Sequence, residues 1–302
     1  MNLSALYDVP APAKLNRFLH IIGRRADGYH LLESVFALID WSDTLHFERR
    51  SDGRIARHDL GPRLPDDDLC LRAARSLQAA SGTACGADIS IHKYLPWGAG
   101  MGGGSSDAAS TLLALNRLWG LHWPRQRLAQ LGLALGADVP FFVGGENALV
   151  QGVGERLTPL ALPVARYAVL KPPASIATRD IFEHPALHRD TRPLDEAATL
   201  LGSLEIDGDF GRNDLQAAAE DQCGEVKAAA TWLQNRFGNS RMTGSGSAVF
   251  SRLDWDVGTQ DQSSVVFLAS SLENGFENGV PTGWAGRMCS GLRHHPLRDW
   301  AI

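Results

Sequence analysis

The apolar positions change period several times along the chain, and each change predicts an element. Residues 10–22 leave a proline-rich start and read as a strand that carries two polar residues, Lys14 and Asn16. Gly23 to His30 is charged and holds two glycines, the composition of a loop. Leu31–Ile39 is apolar and strand-like, and Asp43–Glu48 reads as its hairpin partner. Leu69, Leu71, Ala74 and Leu77 have helical spacing, with Asp66, Asp67 and Asp68 just before them, where the helix dipole favours negative charge. These carboxylates read as a cap and not a metal site, because neighbouring side chains point in different directions. Ala87–Lys93 alternates as a strand. From Ser105 the period is helical again, with Ala108, Leu112, Leu115 and Trp119 on one face. A further helix runs from Arg125 to about Leu135 and stops at Gly136. Residues 147–157 and Tyr167–Lys171 predict strands, residues 214–236 helices, and Ala248–Phe250 a strand. Residues 254–264 are polar without period and read as a loop. A break near 158–164 suggests two domains, 1–160 and 161–302.

Composition narrows the function. With 302 residues and 44% hydrophobic content the chain can bury a large core, and a net charge of −5 gives no general field for nucleic acid. Cys70, Cys85, Cys223 and Cys289 lack metal or disulfide spacing and read as reduced thiols. His184 and His188 stand four apart, but Pro185 falls between them and no glutamate does, so they read as surface histidines, and His294-His295 as a polar tail feature. The first residues lack the basic and apolar regions of a signal peptide, and no apolar run reaches the ~18 residues of a membrane span. The expectation is a soluble, cytoplasmic protein.

The candidate chemistry starts at Pro96-Trp97-Gly98-Ala99-Gly100-Met101-Gly102-Gly103-Gly104-Ser105-Ser106-Asp107, between a predicted strand and a predicted helix. Glycines there allow positive φ and leave room for a ligand. Successive backbone N–H groups and the helix N-terminus can then converge on phosphate. Either serine can add a hydrogen bond or help hold Mg²⁺, and Asp107 can cap the helix or contact the metal. Gly98, Gly100 and Gly103 match a dinucleotide fingerprint, but no acidic residue follows between Asp107 and Asp138 to take the ribose. A Walker loop needs a lysine after its last glycine, and Ser105 stands there. A protein kinase needs H-R-D-L-x-x-x-N, and the His188-Arg189-Asp190 string here continues with Thr191 and Asp195 in place of the leucine and the asparagine.

Three segments together resemble the GHMP kinases, the superfamily of galactokinase, homoserine kinase, mevalonate kinase and phosphomevalonate kinase. They are Pro12-Ala13-Lys14-Leu15-Asn16, the glycine loop, and the run from Met242 to Phe250. The strings Gly23 to His30, Gly136 to Phe142 and Gly211 to Leu215 resemble the branch whose acceptor is a cytidine diphosphate-linked methylerythritol. The likeness extends from about residue 10 to 250. It implies an α+β fold of two domains, the first like domain 2 of ribosomal protein S5 and the second ferredoxin-like, with the site in the cleft between them. It implies transfer of the ATP γ-phosphoryl group, with Mg²⁺, to the substrate C2 hydroxyl, in the non-mevalonate isoprenoid pathway.

The same resemblance assigns roles. Asp138 is the expected base and Lys14 the expected catalytic lysine. An ordinary aspartate, with a pKa of ~3.9, is a weak base, so Asp138 is expected to orient the hydroxyl as much as to take its proton. Tyr29 and Phe182 are expected to sandwich the cytosine, with His30 reading its edge and Asn16 as a further polar contact. Thr178 lies in the same stretch as Phe182, and Gly244 and Ser245 are expected beside phosphates or substrate. A different small-molecule kinase, a nicotinamide-dependent oxidoreductase and a non-catalytic nucleotide-binding module remain as alternatives. The expected base clamp and the Lys14–Asp138 pair argue against them. Oligomeric state and the Mg²⁺ ligands are not legible.

Overall fold

A computed structural model describes residues 3–194, 211–253, 275–276 and 278–301. Its organising feature is one long ribbon. β1 (Ala5–Arg24) pairs antiparallel with β2 (His30–Arg50) along most of its length. Leu31–Ile39 and Asp43–Glu48 are therefore one strand and not a hairpin. The polar break that suggested a turn keeps strand alternation: Trp41, Asp43, Leu45 and Phe47 are all buried. The register shifts four times, including between Pro12 and Lys14 and between Asn16 and Leu19. Such bulges re-aim side chains, and here they flank Lys14 and Asn16, both buried.

The other edge of β2 is shared. β4 (Gly86–His92) pairs with Thr44–Arg50, and β5 (Ala148–Gly152) with Leu32–Phe36. β3 (Ile55–Asp59) lies parallel on β4, and β6 (Arg156–Pro159) pairs with β5. Residues 147–157 thus form most of a hairpin where one strand was expected. Four helices pack a common core with this sheet: α1 (Leu69–Ser81), α2 (Gly103–Leu118), α3 (Arg125–Leu133) and α4 (Val139–Gly144). Asp68 caps α1 as expected, its carboxylate accepting the Leu71 N–H at 3.0 Å.

A second sheet has the order β10-β7-β9-β8, from β7 (Arg166–Lys171), β8 (Arg241–Met242), β9 (Val249–Leu253) and β10 (Ala285–Ser290). With it lie α5 (Thr178–Glu183), α6 (Gln216–Gln222) and α7 (Gly224–Phe237). The expected loop at 254–264 lies outside the described residues. The architecture is α+β, as the sequence implied.

Two crossings join the halves. β1 places Val9 and Ala11 in the first core but Leu19 and Ile21 in the second. Beyond β10 the chain returns to the first half, where Leu297 and Ala301 enter its core. His295 is no polar tail feature. It is buried, and burial together with the nearby Arg125 charge pushes its imidazole down to about 3. All four cysteines are free thiols. Among the described residues no helix is long and apolar enough to cross a membrane.

Candidate active site

The glycine loop leaves β4 and enters α2. Gly98, Gly100 and Gly102 take φ of +59°, +71° and +71°, so alternate residues sit in the left-handed region. This alternation turns successive N–H groups inward and forms an anion cradle. Gly102 is the N-cap of α2 and supplies no side chain, leaving the first turn of the helix open to a ligand. A cavity of about 440 Å³ lies over the loop, walled opposite by Leu64, Pro65 and Leu69. Ser105 lines it, and its hydroxyl makes no hydrogen bond among the described residues. Its hydroxyl lies 3.7 Å from where a side chain on Gly136 would begin, so the phosphate end of the cavity faces the turn that carries Asp138.

Two loop residues act differently from expectation. Ser106 is fully buried and donates its hydroxyl to the Pro12 carbonyl at 2.7 Å, tying α2 to β1. Asp107 does not cap α2, because it lies within the helix. Its carboxylate accepts from Lys93 at 2.5 Å. Lys93 also contacts Asp43, which accepts the N–H groups of Tyr94 and Leu95. Burial opposes the Lys93 charge, but the two carboxylates outweigh it and raise its pKa above the ordinary value. Burial pushes the Asp107 carboxyl up, and its Oδ1, in the wall of the cavity, is buried with no hydrogen-bond partner among the described residues. The sequence reading missed Lys93 and Asp43. Lys93 adjoins the loop and was findable, whereas Asp43 comes from a distant strand with no local signal.

The second half closes on this loop. The Ser247 and Ala248 N–H groups donate to the Gly98 and Ala99 carbonyls at 2.9 and 3.2 Å. A side chain on Gly100 would meet the Thr243 carbonyl at 2.2 Å, and one on Gly244 the Gly100 carbonyl at 2.7 Å, so the contact requires both glycines. Ser245 shares a hydrogen bond of 2.7 Å with Thr178 at the start of α5.

Lys14 lies on the other side of the loop, its N–H donating to the Met101 carbonyl at 3.0 Å. Its ammonium donates to Asn16 Oδ1 at 2.5 Å, stands 3.8 Å from Asp138 Oδ2 and lies 4.4 Å from the Phe36 ring centre. Burial lowers the Lys14 pKa, and the Asp138 charge partly offsets this. Asp138 is 31% exposed at the N-terminus of α4, open to an incoming hydroxyl. Asn16 is fixed in turn, donating its N–H to Thr243 Oγ1 and its amide to Ser34 Oγ.

The expected base clamp is only partly assembled. His30 and Phe182 lie together, ring centres 5.0 Å apart and inclined by 30°. Tyr29 is 65% exposed and does not touch Phe182 as a ring pair. Arg189, which the sequence reading did not include, donates from Nε to His30 Nε2 at 3.2 Å.

A nucleotide cradle beside a lysine–aspartate pair is the framework of a phosphotransferase, and comparison with known proteins identifies which. The profile described as "GHMP kinases N terminal domain" matches residues 68–146. A protein of Methylibium petroleiphilum named 4-diphosphocytidyl-2-C-methyl-D-erythritol kinase is 60% identical over the full length of both chains. One of the same name from Paracidovorax citrulli is 52% identical over 99% of each. The chain belongs to the 4-diphosphocytidyl-2-C-methyl-D-erythritol kinase family of the GHMP kinases. A crystal structure of 4-(cytidine 5'-diphospho)-2C-methyl-D-erythritol kinase superposes on this kinase with a TM-score of 0.74 at 33% identity, covering 94% of this chain and 99% of the other. The fold is shared more widely: homoserine kinase from Cytophaga hutchinsonii gives a TM-score of 0.63 at 15% identity, covering 98% and 96%.

Proposed function

We propose that this kinase transfers the γ-phosphoryl group of ATP to the C2 hydroxyl of 4-diphosphocytidyl-2-C-methyl-D-erythritol, with Lys14 and Asp138 at the reacting atoms. The observation that carries the reading is the placement of Lys14: its backbone is bonded to the phosphate loop while its ammonium faces Asp138. The acceptor hydroxyl enters beside Asp138. Its oxygen forms the new bond to the γ-phosphorus as the bond to the bridging oxygen of ADP breaks, and its proton passes to Asp138. Lys14 keeps Asp138 ionised before transfer and offsets charge on the transferring group. Phosphoryl transfer needs little covalent help, so positioning dominates.

No group of three or more metal-ligating side chains occurs among the described residues. Mg²⁺ binds through few protein ligands and mostly through water and substrate phosphates. The Ser105 hydroxyl, which lines the cavity, is one protein oxygen that would hold it. Bound there, the ion would neutralise phosphate charge. Asp107 is the second candidate: Lys93 holds its Oδ2, while Oδ1 has no partner among the described residues and stands in the cavity wall.

The cytosine is assigned to Tyr29, His30 and Phe182, with the exposed Tyr29 ring folding over a base already resting against Phe182. Stacking of this kind contributes roughly 1–3 kcal/mol per base. Four free thiols suit a reducing compartment, and we place the enzyme in the cytoplasm. A division near residue 160 separates the two sheets and puts the site at their junction, with residues 291–301 crossing back.

Asp138→Asn and Lys14→Ala are each expected to lower kcat by on the order of 10²–10⁴-fold while ATP affinity stays within a few-fold. An ADP-release assay with nucleotide titration checks this, and near-normal kcat in either variant overturns the assignment. Running the assay with homoserine and mevalonate beside the cytidylyl substrate separates this reading from other GHMP kinases.

A further inference from the structure

The geometry points to Arg189 as a positioning residue that fixes His30 as the neutral tautomer protonated on Nδ1, which makes His30 a hydrogen-bond donor toward the pyrimidine. This rests on the reading above that His30 meets the base.

A guanidinium has donors only. Arg189 Nε lies 3.2 Å from His30 Nε2, so that nitrogen must accept. A neutral imidazole has one donor and one acceptor, and the proton is therefore on Nδ1. The guanidinium is itself fixed. Nη2 donates to the Phe182 and His184 carbonyls at 3.1 and 2.9 Å, and Nη1 to the Leu187 carbonyl at 3.0 Å. The group that orients His30 thus also holds the backbone of Phe182, and one side chain sets the geometry of both.

Three influences keep His30 neutral. Burial, the Arg189 charge and the Arg24 charge all hold its imidazolium below the ordinary histidine range. Arg189 forms no ion pair with a carboxylate among the described residues, and its charge acts on His30 in the same direction as burial. His30 Nδ1 makes no hydrogen bond among the described residues and is available to a ligand.

The consequence is selectivity. Cytosine presents unprotonated N3 and O2 as acceptors, whereas uracil carries a proton on N3. A fixed Nδ1–H directed at N3 pairs with cytosine and sets donor against donor with uracil. The opposite tautomer would favour uracil at that position. Discrimination therefore comes from a residue that touches neither base nor sugar.

Nitrogen-15 long-range correlation spectra of the full-length protein, free of substrate and labelled at histidine, test the tautomer directly. The expected His30 pattern at neutral pH is a protonated Nδ1 and an unprotonated Nε2. Arg189→Met should move the population toward the Nε2-protonated form and raise the His30 titration midpoint, and Arg189→Lys should restore part of the original pattern. In turnover, Arg189→Met should reduce the preference in kcat/KM for the cytidine-linked over the uridine-linked substrate by about tenfold, the size of one hydrogen bond, with the KM for ATP unchanged. A wild-type His30 protonated on Nε2, or an undiminished preference in Arg189→Met, overturns the proposal. The wild-type spectrum decides even if the variant loop loses its structure. Failure of the wild-type enzyme to turn over the cytidine-linked substrate would instead strike the proposed function and leave the tautomer result standing.

Discussion

Single glycines in this kinase do two different things, and a matched pair of substitutions separates them. Gly82 follows α1 with φ of +66° and has nothing within 4 Å of where a side chain would start. Gly100 has nearly the same φ, +71°, but the Thr243 carbonyl would stand 2.2 Å from its new carbon. Gly82→Ala is expected to cost about 1–2 kcal/mol, the strain of a left-handed alanine. Gly100→Ala adds a clash with backbone that cannot rotate away, so the Thr243–Ala248 segment must separate from the glycine loop. Its expected signature is a larger fall in Tm together with a raised KM for ATP, and equal Tm losses for the two variants would contradict the close approach. The glycine loop was legible because phosphate binding uses consecutive residues. Lys93 and Asp43 were not read, since their pairing appears only when β2 and β4 align.

At the scale of elements, the last turn of the chain acts on α4, the helix that Asp138 opens. Arg125 from α3 donates to the Val143 and Gly144 carbonyls at 2.5 and 3.3 Å and to the carbonyls of Arg298 and Ala301. A cation at a helix C-terminus satisfies unpaired carbonyls and suits the dipole. Arg125→Ala should destabilise by about 2–3 kcal/mol, because it leaves buried carbonyls unmatched. Beside this clasp, His295 is held neutral, with Nδ1 accepting the Leu297 N–H at 3.0 Å. Its folded pKa, about 3, lies below the unfolded value of ~6.5. Its contribution is therefore complete above the unfolded value and declines as pH falls from there toward about 3. His295→Gln should flatten the pH dependence of Tm across that window, and an unchanged slope would show that other groups set it. None of this was legible in the sequence. A short polar stretch near the end of a chain looks like a tail until the surface it meets is known. The β2 misreading has a related cause, since Asp40 and Asp43 imitate a turn while one faces solvent and the other is buried and hydrogen-bonded to Lys93.

Across the whole molecule, β1 makes the two sheets mutually dependent. The strand supplies Val9 and Ala11 to one core, Ala13 and Leu15 to the junction, and Leu19 and Ile21 to the other core. Its backbone pairs with Arg212 and Asp214 of the second half, and the Asp214 carboxylate accepts the Ile21 N–H at 2.8 Å. Cutting the chain at residue 160 would therefore do more than remove a partner. It would leave Leu15, Leu19 and Ile21 with exposed apolar surface, take away the Arg298 and Ala301 carbonyls that hold Arg125 beside α4, and open the edge of β1 that carries Asn16. Hydrophobic surface of that kind stabilises folding by about 25 cal/mol per Å² when covered, and a domain's net stability is only 5–15 kcal/mol. A fragment of residues 1–160 is accordingly expected to lack a sharp cooperative transition in calorimetry and to bind ATP far more weakly than the full chain. The intact protein should unfold in one transition, with near- and far-ultraviolet dichroism coincident. A fragment that melts cooperatively near the Tm of the whole would show that the first sheet is self-sufficient and that β1 joins the halves without making them one folding unit. The expected outcome also bears on catalysis. Lys14 and Asn16 lie on β1 between the two cores, so the strand that couples folding of the halves is the one that positions the reacting ammonium.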